Sequence, residues 1–141
     1  MTTIAYRDGV LAADSLVCVS GWKQPHRAAK LHRMQDGTVC GMTGDLAPAS
    51  SFIRWLDTGE GDKPPMTDAR VIHMQHGGRL RVYEDGGYFD LDCEFTAFGS
   101  GSPAAQAAMH MGADAARAVE IAALLDDSTG GEIVSMKCEA K

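Results

Sequence analysis

The sequence lacks long apolar runs and any cluster of basic residues. Its 141 residues contain 13 Lys and Arg against 19 Asp and Glu, which gives a formal net charge of -6. The basic residues are scattered, whereas a nucleic-acid surface gathers positive charge on one face. Every apolar run is far shorter than the roughly 18 residues of a membrane helix, and the N-terminus lacks the charged and apolar regions of an export signal. These absences predict a cytoplasmic protein that binds neither nucleic acid nor membrane.

Cysteines and histidines with the spacing of metal ligands are also lacking. Zinc sites take their cysteine ligands from closely spaced pairs, but the four cysteines of this chain lie far apart. None of the five histidines has a close partner at His-x-x-x-His spacing with a carboxylate between them. We therefore expect reduced thiols, histidines that are exposed or packed in the core, and no cofactor.

The apolar residues fall into short β-prone runs and three helical segments. Dipeptides such as Asp8-Gly9 and Asp36-Gly37 separate neighbouring runs and are typical of tight turns. Residues 21–26, with their glycine and proline, are predicted to be a loop. The predicted strands are 3–6, 10–13, 16–19, 30–33, 38–43, 69–74, 80–84, 88–91, 95–98 and 131–136, and the predicted helices are 47–56, 103–111 and 114–125. This order predicts one α+β domain, residues 1–141, with helices packed on sheets.

The second residue has the chemistry of a nucleophile. If Met1 is removed, Thr2 has both a hydroxyl and a free α-amine. An α-amine titrates near ~7.7–8.0, so the neutral fraction at pH 7 can take a proton from an adjacent hydroxyl. Threonine activated by its own amine is a recognised nucleophile. Because many chains begin Met-Thr-Thr, this hypothesis depends on the remaining residues.

Seven short segments support it through their order and spacing. They are Thr2–Ile4, Gly9–Asp14, Lys30–Arg33, Gly41–Gly44, Phe98–Gly101, Gly112–Ala115 and Asp126–Gly131. Together they resemble the N-terminal nucleophile (Ntn) hydrolases of the proteasome β-subunit type, most nearly the HslV-type peptidases. The resemblance extends from Thr2 to about Met136. It implies a four-layer αββα sandwich in which two antiparallel sheets are flanked by helices.

The resemblance implies that an aspartate and a lysine support the nucleophile. The family places the lysine 16 residues after the aspartate, and 30 minus 14 is also 16, so the matching residues are Asp14 and Lys30. We expect Lys30 to favour ionisation of the Thr2 hydroxyl and to keep the amine neutral, while Asp14 orients and neutralises the ammonium. Considered without the other segments, the two residues would be ordinary surface or strand-end charges.

Two glycines are candidates for the oxyanion hole. Gly44 matches the family glycine whose backbone amide stabilises the oxyanion, and Gly41 is the weaker candidate. Ser100 matches a serine that hydrogen-bonds the threonine amine and helps to move a proton. Considered without the other segments, Gly99–Ser102 would be a loop with a helix cap.

Asp126 and Thr129 match an Asp-x-x-Ser-Gly-Gly element that braces the active site from behind, with threonine in place of serine. The hydroxyl is retained, and the extra methyl is expected to change the local geometry. Some family members hold a cation at the corresponding carbonyls, so the resemblance leaves open a structural cation near Asp126 to Thr129, while no other cofactor is expected.

The resemblance implies a threonine-type endopeptidase that cleaves peptides or unfolded proteins, forms a homo-oligomeric ring and has an ATP-dependent unfoldase as partner. Ser100 follows Gly44 by only 56 positions (100 minus 44), fewer than the family places there, so a helix or part of a helical pair is expected to be missing. That leaves ring stacking and the unfoldase open. Two alternatives remain: an Ntn amidase for a small-molecule amide, and a catalytically inactive scaffold or assembly protein, which a retained Met1 would favour.

Overall fold

The computed structural model describes residues 2–140, except the side chain of His26. The strands are β1 (Thr3–Arg7), β2 (Val10–Ala13), β3 (Leu16–Val19), β4 (Trp22–Arg27), β5 (Leu31–Arg33), β6 (Val39–Gly44), β7 (Ala69–Met74), β8 (Leu80–Glu84), β9 (Gly87–Leu91), β10 (Phe95–Gly99) and β11 (Val134–Lys137). The helices are α1 (Leu46–Thr58), α2 (Ser102–His110) and α3 (Ala115–Leu125). No helix in this part of the chain is long and apolar enough to cross a membrane.

Two antiparallel sheets form the centre of the molecule. The four-stranded sheet has the order β10-β1-β2-β11, and the five-stranded sheet has the order β5-β6-β7-β8-β9. Because side chains alternate along a strand, each sheet turns one apolar row toward the other. The core between them is formed by residues such as Ile4 and Leu11 of the first sheet and Val39, Ile72 and Val82 of the second, all 0% exposed.

The helices cover the two outer faces. Helices α2 and α3 pack on the four-stranded sheet through small side chains, including Ala5, Ala12 and Ala118, which let helix and sheet approach closely. Helix α1 packs on the five-stranded sheet through Phe52 and Ile53. Full burial of a side chain such as Phe52 stabilises the fold by about 1.5–3 kcal/mol. These layers confirm the predicted αββα sandwich.

A two-stranded ribbon, β3-β4, extends from the sandwich and corrects one expectation. Residues 21–26 were predicted to be a loop, but Trp22–Arg27 is a strand that pairs with β3. The turn between the strands has φ of +51° at Ser20 and +80° at Gly21, the double positive φ of a type I′ hairpin. Pro25 is compatible with the ribbon because an edge strand can leave a backbone position without a donor.

Between Gly44 and Ser100 the described chain has one helix, α1. Residues 59–68 then connect α1 to β7 without a helix or strand. The absence of a helix or part of a helical pair relative to the family stays a prediction.

Candidate active site

The predicted site residues lie at the ends of neighbouring elements. Thr2 precedes β1, whose two neighbours in the sheet are β2 and β10. Since both neighbours are antiparallel to β1, the start of β1 meets the ends of β2 and β10, which are followed by Asp14 and Ser100. Lys30 lies just before β5, and Gly44 is the last residue of β6. The topology therefore brings distant parts of the sequence to one end of the sandwich.

Thr2 lines a cavity of about 370 Å³ together with residues 16–19, Lys30 and residues 44–48. We call this space the Thr2 cavity. The structure thus places Thr2, Lys30 and Gly44 around one space, with the ribbon strand β3 on one side and the start of α1 on another. Thr2 itself is 2% exposed. Met1, on whose removal the predicted nucleophile depends, lies outside the described residues.

Asp14 and Lys30 form a buried ion pair. Lys30 Nζ donates to Asp14 Oδ1 over 3.0 Å, and the two side chains are 1% and 0% exposed. Asp14 also accepts from two backbone amides, Thr3 N at 3.1 Å on Oδ1 and Gly130 N at 3.0 Å on Oδ2. A buried charge is tolerable when it is paired and hydrogen-bonded in this way. Through these bonds Asp14 links Thr3, at the start of β1, to Gly130, which lies 127 positions away (130 minus 3).

Burial lowers the pKa of the Lys30 ammonium, and the attraction of Asp14 offsets only part of that effect. Removing a cation from water favours its neutral form, while a carboxylate beside it favours the charged form. Lys30 therefore gives up its proton more readily than an exposed lysine while remaining fixed beside the Thr2 cavity.

On the other side of Thr2, two hydroxyls bind Asp126 and a third joins them through Thr129. Ser100 Oγ and Thr129 Oγ1 each donate to Asp126 Oδ2 over 2.6 Å. Thr3 Oγ1 lies 2.7 Å from Thr129 Oγ1. Since the single proton of Thr129 goes to the carboxylate, Thr3 is the donor in that contact. The direction of every proton in this hydroxyl chain is therefore set by Asp126.

The same reasoning shows which partner receives the hydroxyl proton of Ser100. Its oxygen lies 3.5 Å from the carbonyl oxygen of Thr2 and 2.6 Å from Asp126. The shorter, charge-assisted bond takes the hydroxyl proton, which leaves lone pairs of Ser100 Oγ free to accept. Burial opposes ionisation of Asp126, but the bonds from Ser100 and Thr129 outweigh it and hold the pKa of the carboxyl below its ordinary value.

The two oxyanion candidates occupy different places. Gly44 lines the Thr2 cavity and has φ of +79°, and a Cβ there would lie 2.2 Å from the carbonyl oxygen of Asp68. Gly41 lies within β6, and a Cβ there would meet Ile4 Cδ1 at 2.8 Å in the core between the sheets. Gly44 is thus the candidate at the cavity, and alanine at that position would be both strained and crowded.

This chain is similar over nearly its whole length to several solved structures. HslV from Trypanosoma brucei matches with a TM-score of 0.73 at 20% identity, covering 96% of this chain and 97% of that chain. BPH from Thiobacillus denitrificans matches with a TM-score of 0.69 at 20% identity over 99% of both chains. Its complex with epoxomicin matches with a TM-score of 0.69 at 21% identity over 98% of both.

The chain has the fold of HslV and BPH, which we call the HslV-type fold. A scan of family models and a search of curated proteins by sequence gave no match. The likeness therefore lies in the three-dimensional arrangement, with about one residue in five retained. In this HslV-type fold, the cavity and both polar clusters lie at the end of the sandwich where the chain begins.

Two contacts of the candidate site were not predicted. The Thr3 hydroxyl is 0% exposed and joins the Asp126 chain. Gly101 leaves room for it, because a Cβ there would lie 2.0 Å from Thr3 Oγ1. The Gly130 amide, which donates to Asp14, belongs to the Asp-x-x-Thr-Gly-Gly element. The segments 2–4, 98–101 and 126–131 contained these residues, but only a three-dimensional contact identifies their partners.

Among the described residues, no group of three or more His, Cys, Asp and Glu is arranged to hold a metal ion. A structural cation held by the carbonyls around residues 126–129 stays a prediction. So do the catalytic roles of Thr2, Asp14, Lys30, Gly44, Ser100, Asp126 and Thr129.

Proposed function

We propose that this protein is a threonine-type Ntn endopeptidase that uses Thr2 as its nucleophile once Met1 has been removed. The observation that supports this most is the placement of Thr2 between two satisfied polar clusters. The buried Asp14–Lys30 pair lies on one side, and the hydroxyl chain that ends on Asp126 lies on the other. Both contact the Thr2–Thr3 backbone, through the Thr3 amide and the Thr2 carbonyl.

The first half-reaction forms an acyl-enzyme. Thr2 Oγ1 attacks the carbonyl carbon of the peptide bond, and its proton passes to the Thr2 α-amine. The carbonyl electron pair moves onto oxygen, where the Gly44 amide would stabilise the charge. When the C–N bond breaks, the leaving amine takes the proton from the α-ammonium, and the acyl group stays on Thr2 as an ester.

The second half-reaction releases the acid. Water gives a proton to the α-amine as it attacks the ester, the bond to Thr2 Oγ1 breaks, and the Thr2 oxygen takes the proton back. Ser100 supports both steps because its oxygen is free to accept a hydrogen bond from the amine, its own proton being held by Asp126. Lys30 favours the ionised hydroxyl through its positive charge.

We also propose that the protein acts on peptides or unfolded proteins in the cytoplasm, as a homo-oligomeric ring that an ATP-dependent unfoldase could serve. The similarity of the fold to HslV supports this assembly. The endopeptidase proposal differs from an amidase for small amides in its need for an extended substrate.

Turnover of internally quenched peptides by protein lacking Met1 tests the proposal. Hydrolysis that is abolished in Thr2→Ala and retained in Thr2→Ser would support it, because serine keeps both the hydroxyl and the amine. Hydrolysis of small amides alone would favour the amidase. No hydrolysis by correctly processed, folded protein would favour the inactive scaffold.

A further inference from the structure

The walls of the Thr2 cavity are mostly apolar. They are formed by Leu16, Val17 and Val19 of the ribbon and by Leu46 and Pro48 at the start of α1. Its volume of about 370 Å³ lies within the range of about 300–1,000 Å³ that is common for ligand pockets. Such a space accepts an apolar side chain or the methylene stem of a long polar one.

Two charged residues, Lys30 and Asp45, line this cavity, and they differ in whether an ion-pair partner neutralises their charge. The Lys30 ammonium is bound to Asp14, with both side chains buried. Asp45, in contrast, is exposed and stands at the N-cap of α1 without making a side-chain cap hydrogen bond. Among the ion pairs of the described residues, none includes Asp45. An apolar cavity is thus bordered by one free carboxylate.

A second cavity of about 540 Å³ shares Gly44 with the first and strengthens the negative field. Its lining has three carboxylates, Asp68, Glu84 and Asp85, against one cation, Arg70. Arg70 is bound to Glu84 over 2.8 Å. A substrate that extends past Gly44 therefore meets an excess of negative charge on both sides.

The start of α1 is the main opposing influence. A helix N-terminus is equivalent to roughly half a positive charge, which would attract an anion into the same space. The full negative charge of Asp45 at the N-cap outweighs this half positive charge. The first turn of α1 contains no acidic residue, so Asp45 is the carboxylate at this end of the helix. The net preference of the Thr2 cavity is therefore for a cation.

We infer that the Thr2 cavity selects peptides with a lysine or arginine side chain next to the scissile bond, and that Asp45 is the specificity-determining residue. The inference rests on the proposed peptidase function. The apolar walls take the methylene stem, and Asp45 at the border pairs with the cationic head. Acidic side chains are disfavoured by the same carboxylate.

Fluorogenic tripeptide amides that differ only in the residue before the leaving group test this. Arginine, citrulline, leucine and glutamate are compared, because citrulline matches the shape of arginine without its charge. We expect kcat/KM for arginine to exceed that for citrulline by about fivefold, the upper range for an exposed ion pair. The ratio should fall as salt is raised, since exposed charges are screened within about 8 Å at physiological ionic strength.

The Asp45→Asn variant should bring the arginine-to-citrulline ratio close to about 1, and Asp45→Lys should make it favour citrulline. Asp62→Asn is the matched control, because it removes the same charge from an exposed residue outside the cavity lining, and its ratio should equal that of the wild type. A purely structural effect of Asp45 would lower both rates and leave the ratio unchanged.

A wild-type ratio of about 1 or less, a preference for glutamate, or an arginine preference that survives in Asp45→Asn would overturn the inference. Labelling by a peptide epoxyketone distinguishes these results from failure of the proposed function. If Thr2 is labelled but charge has no effect, only the selectivity is wrong. If Thr2 is not labelled and no peptide is cleaved, both are wrong.

Discussion

The two polar clusters beside Thr2 are stabilised in different ways. Asp14 and Lys30 are 0% and 1% exposed and form a full ion pair, with two backbone amides completing the shell of Asp14. The other cluster is a chain of hydroxyls that ends on the partly exposed Asp126. The Asp14–Lys30 cluster fixes the position of a positive charge, whereas the Asp126 cluster fixes the donor and acceptor roles of the hydroxyls.

This difference determines how much each cluster tolerates change. In a low-dielectric interior, a charge that loses its partner has no water to replace it. Near the surface, water can replace a lost hydrogen bond at smaller cost. We therefore expect substitutions on the Asp14 side to act mainly through stability and those on the Asp126 side to have smaller, graded effects.

The largest effect is predicted for Lys30→Met, which leaves Asp14 buried without its cation. Breaking a buried pair in this way costs about 3–5 kcal/mol of the free energy of unfolding, measurable by urea denaturation. Arg117→Met is the control, since it breaks an exposed ion pair with Glu120 and should cost less than about 1 kcal/mol. Equal losses of unfolding free energy in the two variants would show that the buried pair contributes no more to stability than the exposed pair.

Gly101→Ala should perturb the hydroxyl chain by crowding. The new Cβ would lie 2.0 Å from Thr3 Oγ1 and 3.0 Å from Thr129 Oγ1. Overpacking of this kind costs about 1–3 kcal/mol, which a thermal melt would detect. Gly86→Ala has no atom within 4 Å of the added carbon and should melt like the wild type. A silent Gly101→Ala would show that the Thr3–Thr129 contact is not tightly packed.

Asp126→Asn should produce a smaller and pH-dependent loss. The amide can still accept from Ser100 and Thr129, but neutral hydrogen bonds are roughly half as strong as charge-assisted ones, so about 1–1.5 kcal/mol should be lost at pH 7. Because the folded-state pKa of Asp126 lies below its ordinary 3.8, its contribution is present above that value and disappears as the pH falls through the lower folded-state value.

Urea titrations at pH 7 and at the lowest pH at which both proteins fold would measure this difference. The wild type and Asp126→Asn should differ at pH 7 and converge toward low pH. Asp127→Asn, an exposed neighbour, serves as the control. A gap between wild type and Asp126→Asn that is constant over the whole range would show that ionised Asp126 does not direct the hydroxyls.

The smallest effect is predicted for Thr129→Ser. The hydroxyl that contacts Thr3 and Asp126 is retained, and only a buried methyl is lost, worth about 0.8 kcal/mol. Thr129→Val keeps the shape but removes the hydroxyl, so it should be less stable than Thr129→Ser. The reverse order would mean that packing of the methyl matters more than the hydroxyl chain.

Much of the fold could be predicted from the sequence because its signals are local. The strands Ala69–Met74 and Leu80–Glu84 follow from β-prone runs between turn residues, and their bounds are confirmed. The ribbon strand Trp22–Arg27 was missed because its glycine and proline indicate a loop, while its pairing with β3 depends on a turn with two positive φ angles.

The site was predictable only in part. The family resemblance implied that Asp14 and Lys30 lie together beside Thr2, and the structure brings their side chains into contact. The contact of Thr3 with Thr129 and the need for glycine at residue 101 depend on residues that are distant in sequence. Local propensity does not indicate which distant residues contact each other. The residues of the Asp126 cluster were therefore predicted, but the hydrogen bonds among them were not.

Intact-mass spectrometry of the purified protein shows whether Thr2 is an N-terminal nucleophile. The protein is measured with and without a peptide epoxyketone. The reaction of this probe needs both the hydroxyl and the free amine of an N-terminal threonine. Epoxomicin is the first compound to use, because a solved structure contains BPH in complex with it. We expect a chain without Met1 and a single adduct on Thr2 that is absent in Thr2→Ala. A processed, folded chain that forms no adduct would contradict this expectation.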